Sequence, residues 1–206
     1  MSTLVIIPMK DPASAKTRLS SAMHAEEREN LARMLFGNTL SFFAKQHPSM
    51  PRLVVTESES IAFASLRQGA QVLRETHRRG LNAAVEAASL WAVERGFTST
   101  LIVAADVAVW EASEVQDLFV ASIGRTVVIA EAVDGGTNAL LLPAPNACPF
   151  RYGPGSALMH EIAAKQRGYR TQRLHLPYLA RDVDTPGDLE LFDTPERRGS
   201  RIPRSE

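Results

Sequence analysis

Short, wholly apolar runs alternate along the chain with longer stretches whose apolar positions return every three or four residues. The first pattern predicts strands buried on both faces, the second amphipathic helices. Leu4 to Ile7 predicts a first strand. From about Ala25 to Lys45, Leu31, Met34, Leu35, Leu40 and Phe43 recur at helical spacing. Leu53 to Val55 predicts a second strand, Ile61 to Leu66 a short helix, and Gln71 to Leu73 a third strand. Asn82 to Val93 reads as a helix whose Ala83, Ala84, Ala87 and Ala88 allow close packing. Leu101 to Ala105 predicts a fully apolar strand running straight into Asp106. Beyond it the pattern gives a helix over 113–122, strands over 126–130 and 139–142, a helix over 156–167, a strand over 171–176, and a short helix after Pro186.

Repeated strand–helix–strand units predict an α/β fold, with a mostly parallel central sheet between helices on both faces, in three layers. No linker or repeat divides residues 1–193, which are expected to form one domain. Residues 194–206, rich in Arg, Pro, Ser and Gly, are expected to be a flexible tail. The strand over 139–142 is expected to be exposed, where it could pair across a homodimer.

Composition narrows the partners. Across 206 residues, 23 Lys and Arg balance 23 Asp and Glu, which argues against a bulk electrostatic grip on nucleic acid or an anionic membrane. No apolar run approaches the roughly 20 residues that span a bilayer, and the first run is too short for a signal-peptide core. The single cysteine, Cys148, excludes an internal disulfide and any Cys-only metal site. A cytoplasmic protein is expected.

In parallel sheets ligands bind beyond the carboxyl ends of the strands, and four segments there could hold chemistry. Pro8 to Leu19 places Lys10, Lys16 and Arg18 on the loop after the first strand. Such a loop can wrap a triphosphate and neutralise charge on a leaving pyrophosphate, although it is neither a Walker A loop nor a Rossmann fingerprint. The alternative is a solvated basic loop. In Gly80-Leu81-Asn82-Ala83, glycine permits a close backbone approach, and Asn82 could meet a nucleoside or cap the helix. Asp106 ends a strand, and Asp182 and Asp184 share a face if extended. Three hard oxygen donors suit magnesium shared with phosphates, whereas Asp184 ahead of Thr185-Pro186 could instead cap a helix. Lastly, Thr137 and Asn138 combine with Gly153, Ser156 and His160, where a helix N-terminus could seat an anion. An ordinary helix start with a surface histidine is the plain alternative.

Together these segments resemble the 2-phospho-L-lactate guanylyltransferase family, also called CofC or FbiD, which serves biosynthesis of the deazaflavin coenzyme factor 420. The family's motifs stand here in order as Pro8-Met9-Lys10, Ala15-Lys16-Thr17-Arg18-Leu19, Gly80 to Ala84, Gly136-Thr137-Asn138, then Tyr152, Gly153, Ser156 and His160, and finally Asp182 to Leu189. The resemblance implies a Rossmann-like nucleotidyltransferase fold and transfer of GMP from GTP to the phosphate of a small phosphorylated acid. That acid would be 2-phospholactate, phosphoenolpyruvate or 3-phosphoglycerate, and pyrophosphate would leave. It implies Lys16, Arg18 and Asp106 as catalytic residues, with Pro8, Lys10, Lys16, Arg18, Gly80, Leu81, Asn82 and Ala83 around the nucleotide. It also implies Thr137, Asn138, Gly153, Ser156 and His160 at the acceptor, Asp106, Asp182 and Asp184 on Mg2+, and a product passed to a downstream transferase. One departure is Asp106-Val107-Ala108 where the family has Asp-Leu-Pro; losing the proline's fixed φ is expected to free the turn. Another is an additional glycine in Asp134-Gly135-Gly136. Two alternatives remain at this point: a cytidylyl- or other nucleotidyltransferase, and an inactive nucleotide-binding protein.

Overall fold

The computed structural model describes residues 2–76 and 79–192. His77 and the expected tail from Thr194 lie outside them. Seven strands form one sheet: β1 (Thr3–Pro8), β2 (Arg52–Thr56), β3 (Gln71–Arg74), β4 (Ser99–Val103), β5 (Thr126–Glu131), β6 (Thr137–Leu142) and β7 (Arg170–Leu174). The helices are α1 (Ala25–Gln46), α2 (Glu59–Arg67), α3 (Leu81–Glu94), α4 (Ala112–Ala121), α5 (Ser156–Gln166) and α6 (Pro186–Phe192). Every predicted element among the described residues is present, with ends displaced by a few residues. β4 stops at Val103 because the chain leaves the ladder after Ala104, whose N–H donates to the Asn138 carbonyl.

The strand order is β3-β2-β1-β4-β6-β5-β7. All neighbours are parallel except β6, which runs antiparallel to β4 and β5. The reversal corrects the expectation for 139–142. That segment is buried between two strands rather than exposed, so it offers no edge for a dimer. A wholly apolar run describes a central strand as readily as an interface strand.

Alternation along β1 separates the two cores. Val5 and Ile7 face Phe36, Leu40 and Phe43 of α1, Ile61 of α2, and Val115 and Leu118 of α4. Leu4 and Ile6 face Val85, Ala88 and Ala92 of α3 and Ala157 and Ala164 of α5. The alanines let α3 and α5 lie close on the sheet, giving the expected three layers. Trp110 packs on Phe42 and Phe43, and Trp91 stacks on Phe97, so both tryptophans serve packing. Because β6 is reversed, its first residue, Thr137, sits with the carboxyl ends of the parallel strands.

Candidate active site

A cleft of about 330 Å³ opens at those strand ends. Its walls come from Pro8 at the end of β1 and Met9 after it, Val55 before the end of β2, Gly80, Leu81 and Ala84 at the start of α3, and Ala104 to Asp106 after β4. Lys10, Lys16, Asp184 and Thr137 bring polar groups to it, and Glu57, Glu75 and Tyr152 also line it. Tyr152 belongs to a motif already singled out, whereas Glu57 and Glu75 carry no sequence signal, since a lone Glu after a strand looks like a solvated loop residue.

The cations of the first loop behave differently from one another. Lys10 is exposed at the cleft, and Arg18 points outward, 3.8 Å from Asp184. Lys16 is buried, and its backbone is left-handed at φ 54° and ψ 35°. Its Nζ donates to Asp106 Oδ2 at 2.6 Å and Asp184 Oδ1 at 2.8 Å. Burial lowers the pKa of this ammonium, but the two carboxylates more than offset it and hold the value above that of an ordinary lysine.

One carboxylate oxygen each from Asp106, Asp182 and Asp184 lies within 4.8 Å of the others. The Asp182 carboxyl is pushed up to about 6, by burial first and then by the charges of Asp106 and Asp184. Three acidic groups so close repel one another, and a hard divalent cation relieves that repulsion, so the donor set fits one. Asp184 does not cap α6. Thr185 and Asp188 do so between them, Asp188 Oδ2 accepting from Thr185 N–H at 2.6 Å and Thr185 Oγ1 at 2.8 Å.

An antiparallel bridge between Val107 and Asp182 brings the aspartates together. Ala108 N–H donates to the Arg181 carbonyl at 3.0 Å, and Val183 N–H to the Asp106 carbonyl at 3.2 Å. The missing proline is thus no loosening: Ala108 supplies a donor that proline lacks, and the turn is fastened rather than freed. Glu114, buried in α4, secures the preceding loop by accepting from Tyr178 N–H at 2.9 Å and Leu179 N–H at 2.7 Å. Asn138 Nδ2 donates to the Leu179 carbonyl at 2.9 Å, so its side chain is engaged with the loop leading to the aspartates.

Asn82 lies inside α3, not at its cap, which is Gly80 at φ 86°. Its Oδ1 accepts from Tyr152 N–H at 2.7 Å and its Nδ2 donates to the Tyr152 carbonyl at 3.1 Å. Ala83 is its neighbour on the helix. At the start of α5, Ala157 N–H donates to the Gly135 carbonyl and Ser156 N–H to the Gly153 carbonyl, so part of the helix terminus is already satisfied by protein. The additional glycine, Gly135 at φ 81°, makes that docking possible. His160 is fully buried, contrary to a surface histidine. Its ring is bonded to Thr137 Oγ1 through Nδ1 at 3.1 Å and accepts from Arg151 N–H through Nε2 at 2.9 Å. Cys148 is buried, and burial pushes its thiol up to about 11, so it is no nucleophile.

A doubly wound sheet with one reversed strand, a cleft at the strand ends and carboxylates beside lysines at its mouth fit a nucleotidyltransferase. A solved nucleotidyl transferase from Methanothermobacter thermautotrophicus superposes with a TM-score of 0.68 at 16% identity, covering 94% of this chain and 96% of that one, which shows the shared fold. The chain belongs to the family described as guanylyl transferase CofC like, whose model matches residues 3–194. It is 45% identical to the 3-phospho-D-glycerate guanylyltransferase of Colwellia psychrerythraea, over 93% of this chain and 91% of the relative. It is 33% identical to the phosphoenolpyruvate guanylyltransferase of Roseiflexus castenholzii, over 92% and 87%. The 2-phospho-L-lactate guanylyltransferase of Methanothermobacter thermautotrophicus is 32% identical, over 92% and 83%.

Proposed function

We infer that this enzyme transfers GMP from GTP to the phosphate of a phosphorylated three-carbon acid. An acceptor phosphate oxygen forms a bond to the α-phosphorus, the bond from that phosphorus to the bridging oxygen breaks, and pyrophosphate leaves with the electron pair. A phosphate monoester is nucleophilic near neutral pH, so no general base is needed and the work is positioning and charge neutralisation. The observation behind this reading is the cluster of Asp106, Asp182 and Asp184 beside Lys16 at the mouth of the cleft.

Asp106, Asp182 and Asp184 would hold Mg2+, which supplies charge neutralisation to the phosphates. Lys16 fixes two of those carboxylates, and Lys10 and Arg18 stand where a triphosphate would enter. Pro8, Gly80 and Leu81 give the nucleoside an apolar bed. Glu57 and Glu75 support the choice of guanine. An ionised carboxylate only accepts hydrogen bonds, and guanine alone among the common bases presents two adjacent donors, N1–H and the 2-amino group. Glu57 is steadied by Asp11 N–H, which donates to its Oε1 at 3.2 Å. Thr137, Ser156 and Gly153 form the acceptor side.

Of the three acids, 3-phospho-D-glycerate comes first, because the relative at 45% identity bears that activity in its name. The guanylylated product is an activated phosphoanhydride fit for a following transferase in factor 420 biosynthesis, and its substrates are those of the cytoplasm. The test is pyrophosphate release from GTP and magnesium with each acid, repeated with CTP and ATP. Release with GTP and 3-phosphoglycerate, reduced at least a hundredfold in Asp106→Ala, is expected. Turnover with CTP instead, or silence with all three acids, would overturn the reading.

A further inference from the structure

We propose that His160 is a positioning residue that acts through Thr137, fixing the threonine hydroxyl as a hydrogen-bond donor aimed at the anionic acceptor. The proposal rests on the acceptor assignment above and deepens it. His160 is fully buried and does not line the cleft, whereas Thr137 does.

Three hydrogen bonds determine the polarity of the chain. Arg151 N–H can only donate, so His160 Nε2 must be the unprotonated nitrogen that accepts it, at 2.9 Å. A neutral imidazole then has its proton on Nδ1, which donates to Thr137 Oγ1 at 3.1 Å. Ser156 Oγ donates to the same oxygen at 3.0 Å. Both acceptor positions of Thr137 Oγ1 are filled, and its remaining capacity is its own proton. Among the described residues no further partner takes that proton. The Thr137 hydroxyl therefore meets a ligand as a donor, which suits a phosphate or carboxylate oxygen and repels a ligand N–H.

The surroundings keep the ring neutral. Burial and the nearby Arg151 charge lower its pKa to about 4. The Tyr152 ring meets it edge-on, 4.7 Å between centroids, which fixes the ring's tilt. A charged imidazolium would lose the Arg151 bond, because Nε2 could no longer accept. The same bond anchors residues 151–152, whose other tie is Asn82, so the loop entering α5 is held from both α3 and α5.

The test has an arm that needs no turnover and an arm that does. Nitrogen-15 histidine spectra of the wild-type protein at neutral pH should show His160 protonated on Nδ1 and bare on Nε2; the opposite tautomer overturns the proposal whatever the activity. In steady-state kinetics, Thr137→Val and His160→Phe should each raise the acceptor KM about tenfold or more and leave the KM for GTP within about twofold. The loss in the double variant should fall well short of the product of the two single losses, because His160 acts on the acceptor chiefly through that hydroxyl. His160→Gln, which offers an amide donor and acceptor, should recover most of the loss, and it stands in if the phenylalanine variant fails to fold. Additive losses in the double variant, or equal losses for GTP and acceptor, would overturn the proposal in favour of a merely structural histidine. Wild-type protein inactive toward every acid would instead fail the guanylyltransferase reading. It would overturn the acceptor half of the proposal, leaving the tautomer to judge the relay.

Discussion

Lys16 occupies a backbone conformation that costs a non-glycine residue roughly 1 kcal/mol, and it is buried with its ammonium on two aspartates. A lysine is retained there because the carboxylates need a cation. Removing one partner of a buried ion pair costs about 3 kcal/mol or more, since the other charges stay behind unpaired. Asp106 and Asp184 are 33% and 36% exposed, so water screens the charges left behind, and Lys16→Ala should lower the stability of metal-free protein by about 1–2 kcal/mol. Manganese or magnesium should restore part of the loss, as calorimetry with and without the metal would show. His160 makes a pH prediction of opposite chemistry. Its folded pKa, about 4, lies below the ordinary 6.5, so between those values the unfolded chain binds a proton that the folded chain refuses. The stabilisation is complete above about pH 6.5 and is lost as pH falls toward 4, by roughly 3 kcal/mol in all. Asp182 opposes this trend, because its raised pKa favours the folded state as acid is added from pH 6 toward 4. The difference between wild type and His160→Gln isolates the histidine, and urea midpoints measured from pH 7.5 to 4.5 should converge as pH falls.

Between elements, the bridge from Val107 to Asp182 does what neither loop could do alone. It ties the end of β4 to the segment before α6, and Glu114 of α4 ties down the loop just before it. Ala108→Pro restores the family's usual residue yet deletes the N–H that reaches Arg181. It should cost about 1 kcal/mol in denaturant unfolding and weaken divalent-metal binding several-fold by isothermal titration. Unchanged stability would show that the bridge holds without that bond. The sequence announced Asp182 and Asp184 through their spacing, but not the Glu114 latch. A Glu in the first turn of a helix reads equally well as a favourable charge for the helix dipole.

Across the whole molecule, the cleft is a seam: β1, β2, β4, β6, α1 and α3 each contribute to its wall, and Asp184, just before α6, stands at its mouth. A ligand that binds it links elements on both faces of the sheet and should stabilise the protein as one unit. GTP with magnesium at a hundred times its dissociation constant should add about 2.7 kcal/mol, which for a chain of this length is roughly 5–10 °C in the unfolding midpoint. CTP at equal concentration should add less. Equal shifts for the two nucleotides would deny the carboxylates Glu57 and Glu75 a part in choosing the base.

The elements and most of the polar residues around the site were legible in the order of residues along the chain. Burial leaves a period-two or helical pattern on the chain, and strand-end residues follow directly from it. The family was legible as well, because short motifs in fixed order along the chain are a local signal. The pairings came only with the fold. The reversed β6 could not be read from an apolar run, which looks the same in either direction. Nor could the sequence show that Lys16 binds aspartates 90 and 168 residues away, that Asn82 holds Tyr152, or that His160 stands behind Thr137 at the cleft wall. Hydrogen bonds and ion pairs depend on distances of a few ångströms between groups far apart in sequence, and those distances exist only once the sheet has brought its strand ends together.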